Sequence, residues 1–478
     1  MNRQFIDKWD KDSLLLEIRL PREIFKSPLA AETALSSLIQ GGSVGDWWAR
    51  NWSGNLTAWS SLEIASIEGV VRFYIRINKK FRPLVESSFY AQYPGIEIVE
   101  ADDYTKMVRY THLNEDIGLF GCSFWLAKKW GVKDKYGEPL KKGKDPYQMR
   151  ADFFPIKTYV DYGLDKDPKE EFKMDPITPM IEFMGSIGKG EYFWYQVLVQ
   201  AEGPFDGKKF PKMFYNEVTG ERLSISDMVK QWKAQMRIGK VKKAGEVATD
   251  KYGNEETKST GKKDSNDAPI LEVVRYKKDQ IDTRSELDLT KDERDEIEFV
   301  NKKMAKPLVR TISRLLYIVD NKRGKFNPGH IQTTLAAMKP FSGVNSFALE
   351  TTDPYTYPWQ KLGDKRVHWR KEEKFNAFVE RSGFHPIIPE KNDSEGMDSL
   401  DWWEDGFFYP YETKYRIMFR TLYETIFHPF RLYSNKEISV LNLEELATLW
   451  HLPGAVATTP TLPRIDSTKG VAPVNLPQ

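Results

Sequence analysis

Cysteine is almost absent. Cys122 is the only one in 478 residues, so the chain forms no internal disulfide and no metal site built on several thiolates, which suits a reducing compartment. A dominant charge is missing too. Lys and Arg total 71 against 69 Asp and Glu, a net charge of +2, so any attraction to nucleic acid or anionic lipid must come from a local patch. Long hydrophobic runs are lacking: the longest uncharged apolar stretch, Gly118 to Ala127, is about ten residues, half of what a spanning helix needs. Met1 to Asp12 has no apolar signal run, and a cytoplasmic location is expected.

Catalytic motifs are missing as well. A phosphate-cradling loop needs GxxxxGK[ST], and no segment provides it: Gly137 to Asp145 has one residue too many, and Gly185 to Gly190 lacks a hydroxyl after Lys189. Both read as surface turns, so no nucleotide hydrolysis is expected. The histidines, His112, His330, His368, His385, His428 and His451, are scattered, and none forms HExxH. Cys122 lies in an apolar run and reads as a buried, inert thiol, and no GxSxG elbow is present. No catalytic residue, cofactor or metal is expected.

What is present is a globular composition, 40% hydrophobic, 29% charged and 13% aromatic, on a chain long enough for two to four structural units. Leu14, Leu16, Ile18 and Leu20 alternate with Glu17 and Arg19 as in a half-buried strand. Ser27-Pro28 opens a helix carrying Ala31, Leu35, Leu38 and Ile39 on one face, and Gly41-Gly42 stops it. Strands containing Leu62 and Ile64, then Phe73, Ile75 and Ile77, flank a turn at Glu68-Gly69. A helix bearing Phe81, Leu84, Val85, Ser88 and Phe89 leads to a fourth strand, Ile96 to Glu100. This βαββαβ order predicts a ferredoxin-like unit over 12–105, with both crossover helices on one face.

A similar order recurs over 150–350. Phe153 to Val160 is expected as its first strand. A helix from Asp175-Pro176 with Ile177, Met180, Ile181 and Met184 follows, then a strand through Tyr195, Val197 and Val199. After an interruption come a strand over Leu308 to Asp320, a helix from Asn327-Pro328 and a short strand over Asn345 to Glu350. The fold class expected is therefore α+β, two ferredoxin-like units in tandem. Thr249 to Pro269 contains no Ile, Leu, Val, Phe or Trp, which predicts a mobile, disordered insertion over about 239–270. Thr290 and Glu293 form a capping-box pattern behind it. Residues 390–453 read as a small helical segment whose last helix is capped by Asn442 and Glu445, and 454–478 as an extended, proline-rich tether.

Three surface patches compete with packing. Arg72, Tyr74 and Arg76 share one side of their strand, and on an uncovered sheet they form an RRM-like platform for single-stranded nucleic acid, although the RNP aromatic pair is lacking. Trp47, Trp48, Trp52 and Trp59 crowd one stretch, where packing is favoured over an interface. Lys365 to Lys374 reads as a solvated, mixed-charge face.

Several stretches together resemble one family: LLLEIRLPREIFKSPLAAE, SLEIASIEGVVRFYIRINKKFRPLVESSFYAQYPGIEIVEADDYT, DPITPMIEFMGSIGKGEYFWYQVLVQ and NLEELATLWHLPG. They are similar to the region ahead of the motor in bacterial HerA-like ATPases related to conjugative and type IV secretion coupling proteins. The resemblance covers about residues 14–476, without the loop near 239–290. It implies either a non-catalytic accessory module of a DNA or protein translocation system, whose P-loop ATPase lies on another polypeptide, or a truncated relative of such an ATPase. The partners implied are that HerA-like ATPase, DNA as a further candidate, an oligomeric assembly with the motor, and a peripheral place at the inner face of the membrane through those partners. Leu446, Leu449, Trp450, His451 and Pro453 are the partner-binding residues expected at the junction with the motor. The alternatives are the nucleic-acid platform of Arg72, Tyr74 and Arg76, and an enzyme with an unrecognised site.

Overall fold

Alternating apolar residues place β1 (Ser13–Pro21) with one side chain in two on the core, and the computed structural model builds a sheet outward from it. The structure describes residues 12–21, 26–39, 59–201, 213–352, 363–384, 437–454 and 462–465, apart from 112, 114–115, 166–174, 217, 243, 249–254, 264–268 and 277–279. Pro28 at the first position starts α1 (Pro28–Leu35), whose Ala31, Ala34 and Leu35 are buried. A hairpin follows, β2 (Trp59–Ile67) and β3 (Val70–Asn78). Its two turn residues, Glu68 and Gly69, both have positive φ, at 53° and 89°, the left-handed pair that a tight hairpin twist demands. Then come α2 (Arg82–Gln92) and β4 (Glu97–Ala101). The strands pair antiparallel in the order β4-β1-β3-β2, as in a ferredoxin-like unit.

The second half repeats this order from a different first strand. Its elements are β5 (Ile117–Leu126), α3 (Thr178–Ser186), β6 (Glu191–Gln200), α4 (Ile225–Met236), α5 (Lys291–Ala305), β7 (Leu308–Asp320), α6 (Pro328–Ala336) and β8 (Phe347–Thr351). Pairing runs β8-β5-β7-β6, again antiparallel, and β6 then pairs with β2 to make one continuous sheet. The two units therefore meet through their second strands, edge to edge.

The strand expected over Phe153 to Val160 is not formed. That stretch contains Pro155, and its amides bond to side chains instead of a ladder: Ile156 N–H to Glu445, Thr158 N–H to Asp161 and Tyr159 N–H to Thr448. The first strand of the second unit is the uncharged run measured above only against membrane thickness. A central strand covered on both faces reads as a continuous apolar segment, and periodicity alone does not mark it.

The insertion also departs from expectation. Ile238–Lys242 pairs with Gln280–Thr283, and Thr257–Lys263 pairs with Pro269–Val273, both antiparallel. Its described polar residues lack a core, as the composition requires, with Thr257, Lys258 and Ser259 exposed. Backbone ladders nevertheless form, because N–H···O=C pairing requires no apolar side chain.

After β8 come α7 (Gly363–Val379), β9 (Ser439–Asn442), α8 (Leu443–Leu449) and β10 (Arg464–Ile465). β9 extends the sheet beside β7, and β10 runs parallel to the end of β1, completing ten strands. Residues 385–436, most of the expected small helical segment, lie outside the described residues, as do Trp47, Trp48 and Trp52 and most of the tail.

Crossover helices α1, α2, α3 and α6, together with α8, cover one sheet face, over Leu16, Ile64, Phe73, Phe124, Tyr195 and Leu315. The opposite face is covered too. Tyr104, Val108 and Tyr110 from the inter-unit connection, and Phe375 and Phe378 from α7, pack on Leu15, Tyr74, Trp194 and Leu316. No helix among the described residues is long and apolar enough to cross a membrane.

Candidate functional site: the ionic seam around the last helix

Seven residues form α8, and all are buried, including Glu444 and Glu445. Asn442 caps the helix: its side chain accepts from the Glu445 N–H at 2.8 Å, and Glu445 accepts the Asn442 N–H at 2.8 Å. Glu445 also takes the Ile156 amide at 2.9 Å and faces Lys303 of α5 at 3.0 Å, both side chains fully buried. Burial pushes the Glu445 carboxyl up, against the pull of Lys303. Glu444 is different. Burial works to raise it as well, but the Thr158 hydroxyl at 2.6 Å and Lys306 at 2.9 Å outweigh that and hold it below its usual value. Lys306 reaches Glu32 of α1 at 2.6 Å, and Glu32 in turn accepts the Tyr159 hydroxyl at 2.7 Å. The seam thus ties α1, α5, α8 and the 155–162 connection together.

At the other end of α8, Trp450 turns its ring edge-on between Phe73 at 5.9 Å and Phe89 at 6.2 Å, and its indole N–H donates to the Glu63 carbonyl at 3.3 Å. His451 follows. Its Nδ1 lies 2.9 Å from the Ala447 carbonyl, which only accepts, and its Nε2 lies 3.0 Å from an Asp175 carboxylate oxygen. Satisfying both neighbours with Asp175 ionised requires a proton on each nitrogen. Burial opposes that charge, yet Asp175 outweighs it and raises the imidazole above its usual value, while Asp175 itself is lowered.

Leu446, Leu449, Trp450, His451 and Pro453, expected to face a partner, are therefore all buried in this chain. The correction has a simple cause. An apolar helix face looks the same in sequence whether it packs on another subunit or on its own sheet, and here the sheet is within reach.

The nucleic-acid platform fails for a related reason. Tyr74 is buried and stacked on Tyr104 at 5.0 Å, Arg76 is buried, and Arg72 is half exposed with its guanidinium 3.6 Å from Glu17. A base has no ring face to stack on once Tyr104 lies there. The turn at Gly185 to Gly190 is equally closed to a phosphate: Glu191 takes the Gly188 amide at 2.7 Å and Glu68 takes the Gly190 amide at 3.2 Å. Carboxylates of the chain sit where an anion would bind.

The site residues missed in sequence belong to one further network on the opposite face. Arg381 of the chain following α7 spans Glu63 at 2.7 and 3.1 Å and Asp103 at 2.8 and 3.0 Å, and Tyr104 donates to Glu63 at 2.7 Å. Burial alone would raise Asp103, but the guanidinium prevails and lowers it to about 2. Arg381 holds φ at 52°, a left-handed conformation that costs an L-residue energy and persists because four hydrogen bonds over-determine it. Lys374, inside the run taken as a solvated face, is buried against Glu437 and Ser123. No local signal marks these partners. Glu63 alternates with Leu62 and Ile64 as a solvent-facing residue would.

Between α5, α8 and the 155–162 connection lies a cleft of about 220 Å³, walled by Ile156, Phe299, Lys302, Val344 and Glu444. Four of its charges are engaged with one another: Lys302 lies 3.4 Å from Glu444, and Lys303 holds Glu445. Cys122, by burial despite the opposing Lys374, is a thiol pushed far up from its usual value and unsuited to nucleophilic attack. No group of three or more His, Cys, Asp or Glu among the described residues is arranged to hold a metal ion. The arrangement is built to lock elements together. Compared with protein-family models, curated proteins and solved structures, the chain matches none.

Proposed function

We propose that this chain is a non-catalytic scaffold of a HerA-like or type IV secretion system for DNA or protein translocation, positioning a P-loop ATPase that lies outside these 478 residues. The reading rests on the stretches quoted above and on one structural observation. In the region that NLEELATLWHLPG resembles, that helix is the last element before the motor, and here it is clamped to β2 of the first unit through Trp450 to Glu63, and to the second half of the chain, at the 155–162 connection and just ahead of α3, through Thr448 to Tyr159 and His451 to Asp175. A tether held this way transmits force and orientation to a ten-stranded platform. The buried charges of the two networks are paired within the chain, Lys303 with Glu445 and Arg381 with Glu63 and Asp103, which supports a structural role for them.

Burial of α8 changes how the proposal is tested. Removing 443–478 deletes core side chains, so the informative variant removes only 466–478, beyond β10. Purified full-length chain is mixed with the HerA-like ATPase of the same cell and run by size exclusion. A joint peak that weakens on removal of 466–478 supports the reading; separate elution at ~10 µM of each, or ATP hydrolysis by the chain alone, rejects it.

A further inference from the structure

Two edge strands of the sheet, β4 and β8, have opposite character. β4 carries Glu97 and Glu100 in its five residues, both well exposed, the charged edge that discourages pairing with another chain. β8, with the sequence FALET, has one charge and an exposed Leu349. Among the described residues it pairs with β5 alone.

Which backbone groups face outward follows from the ladder. Ser346 O accepts from Ala127 N–H, and Thr352 N–H donates to Gly121 O, so the even-numbered residues bond inward to β5. In an antiparallel ladder the alternate residues then turn N–H and C=O to the open edge, namely Phe347, Leu349 and Thr351. We infer that a second copy of this chain adds to this edge, β8 against β8, antiparallel about a two-fold axis at Leu349.

The register is self-consistent. Centred on Leu349, the pairs are Leu349 with its own copy and Phe347 with Thr351, all with outward-facing groups, for about six hydrogen bonds. Glu350 falls opposite Ala348. Centring one residue later places Glu350 opposite its copy, a like-charge pair, and even-numbered residues at the axis cut the ladder to about four bonds. Aromatic with β-branched and leucine with leucine are favourable cross-strand neighbours. The same edge-to-edge addition already joins the two halves of the chain at β2 and β6. Self-pairing of one patch is the isologous geometry that closes as a dimer.

A five-residue ladder is short, and the expected dimer dissociates in the micromolar range. Sedimentation or light scattering of the full chain from ~1 to ~100 µM should show a monomer–dimer equilibrium in that range. Leu349→Pro removes an outward N–H without breaking a bond to β5, and Leu349→Lys places two cations on the axis; each should leave a folded monomer by circular dichroism. Leu349→Cys should cross-link to itself under mild oxidation, while Ala348→Cys should cross-link only when mixed with Glu350→Cys. A wild-type monomer at every concentration, or a dimer that survives both Leu349→Pro and Leu349→Lys, overturns the inference.

Discussion

Trp450 donates its indole N–H to the backbone carbonyl of Glu63, 3.3 Å away and 387 residues back in the chain. The side chain of the same Glu63 holds Arg381. One position of β2 therefore couples the helix that closes the core on one sheet face to the ionic network that closes the other.

Truncating this anchor should be costly. Trp450→Ala removes a fully buried ring packed on Phe73 and Phe89, and the expected loss is about 3–5 kcal/mol in urea unfolding. Trp450→Phe should lose less. A change below about 0.5 kcal/mol for the alanine variant would mean the ring is not buried in solution.

Removing the guanidinium strands two carboxylates. Arg381→Ala should destabilise by about 3–5 kcal/mol, whereas the triple change Arg381→Met, Glu63→Gln, Asp103→Asn should recover part of that loss because no unpaired charge remains. Equal destabilisation of both variants would show that the ring of charges is incidental.

Acid should weaken the same network. Asp103 sits at about 2 against a usual value of 3.8, so its stabilisation is complete above the unfolded value and is lost as pH falls from about 4 through about 2. Asp103→Asn should flatten the acid limb of a stability–pH curve in that window. An unchanged limb would place Asp103 away from Arg381.

His451 predicts the opposite sign. Its raised value means the stabilisation is complete below the unfolded value of 6.5 and declines as pH rises through the folded one. His451→Gln should be less stable near neutrality and lack this alkaline decline, followed by thermal melts across pH. NMR titration of wild-type His451 at or below 6.5 would contradict the paired geometry.

Cys122 should be silent toward thiol reagents. It is 1% exposed, so a disulfide reagent in excess should label the native chain only as fast as it unfolds, and completely in denaturant. Labelling within seconds of mixing would place β5 at the surface.

Local sequence determined much of this protein. The alternation of Leu14 to Leu20, the left-handed Glu68-Gly69 turn, the proline starts of α1 and α6 and the Asn442 cap all rest on residues within a few positions of one another, and periodicity reads such relations directly. Tertiary structure decided the rest: that β5 opens the second unit, that Tyr74 lies under Tyr104, and that Trp450 and His451 face inward. Whether an apolar or charged residue meets solvent, a partner or its own core depends on what the fold brings to it. Here those partners are 318 residues away for Arg381 and Glu63 and 276 for His451 and Asp175, beyond the reach of any local pattern.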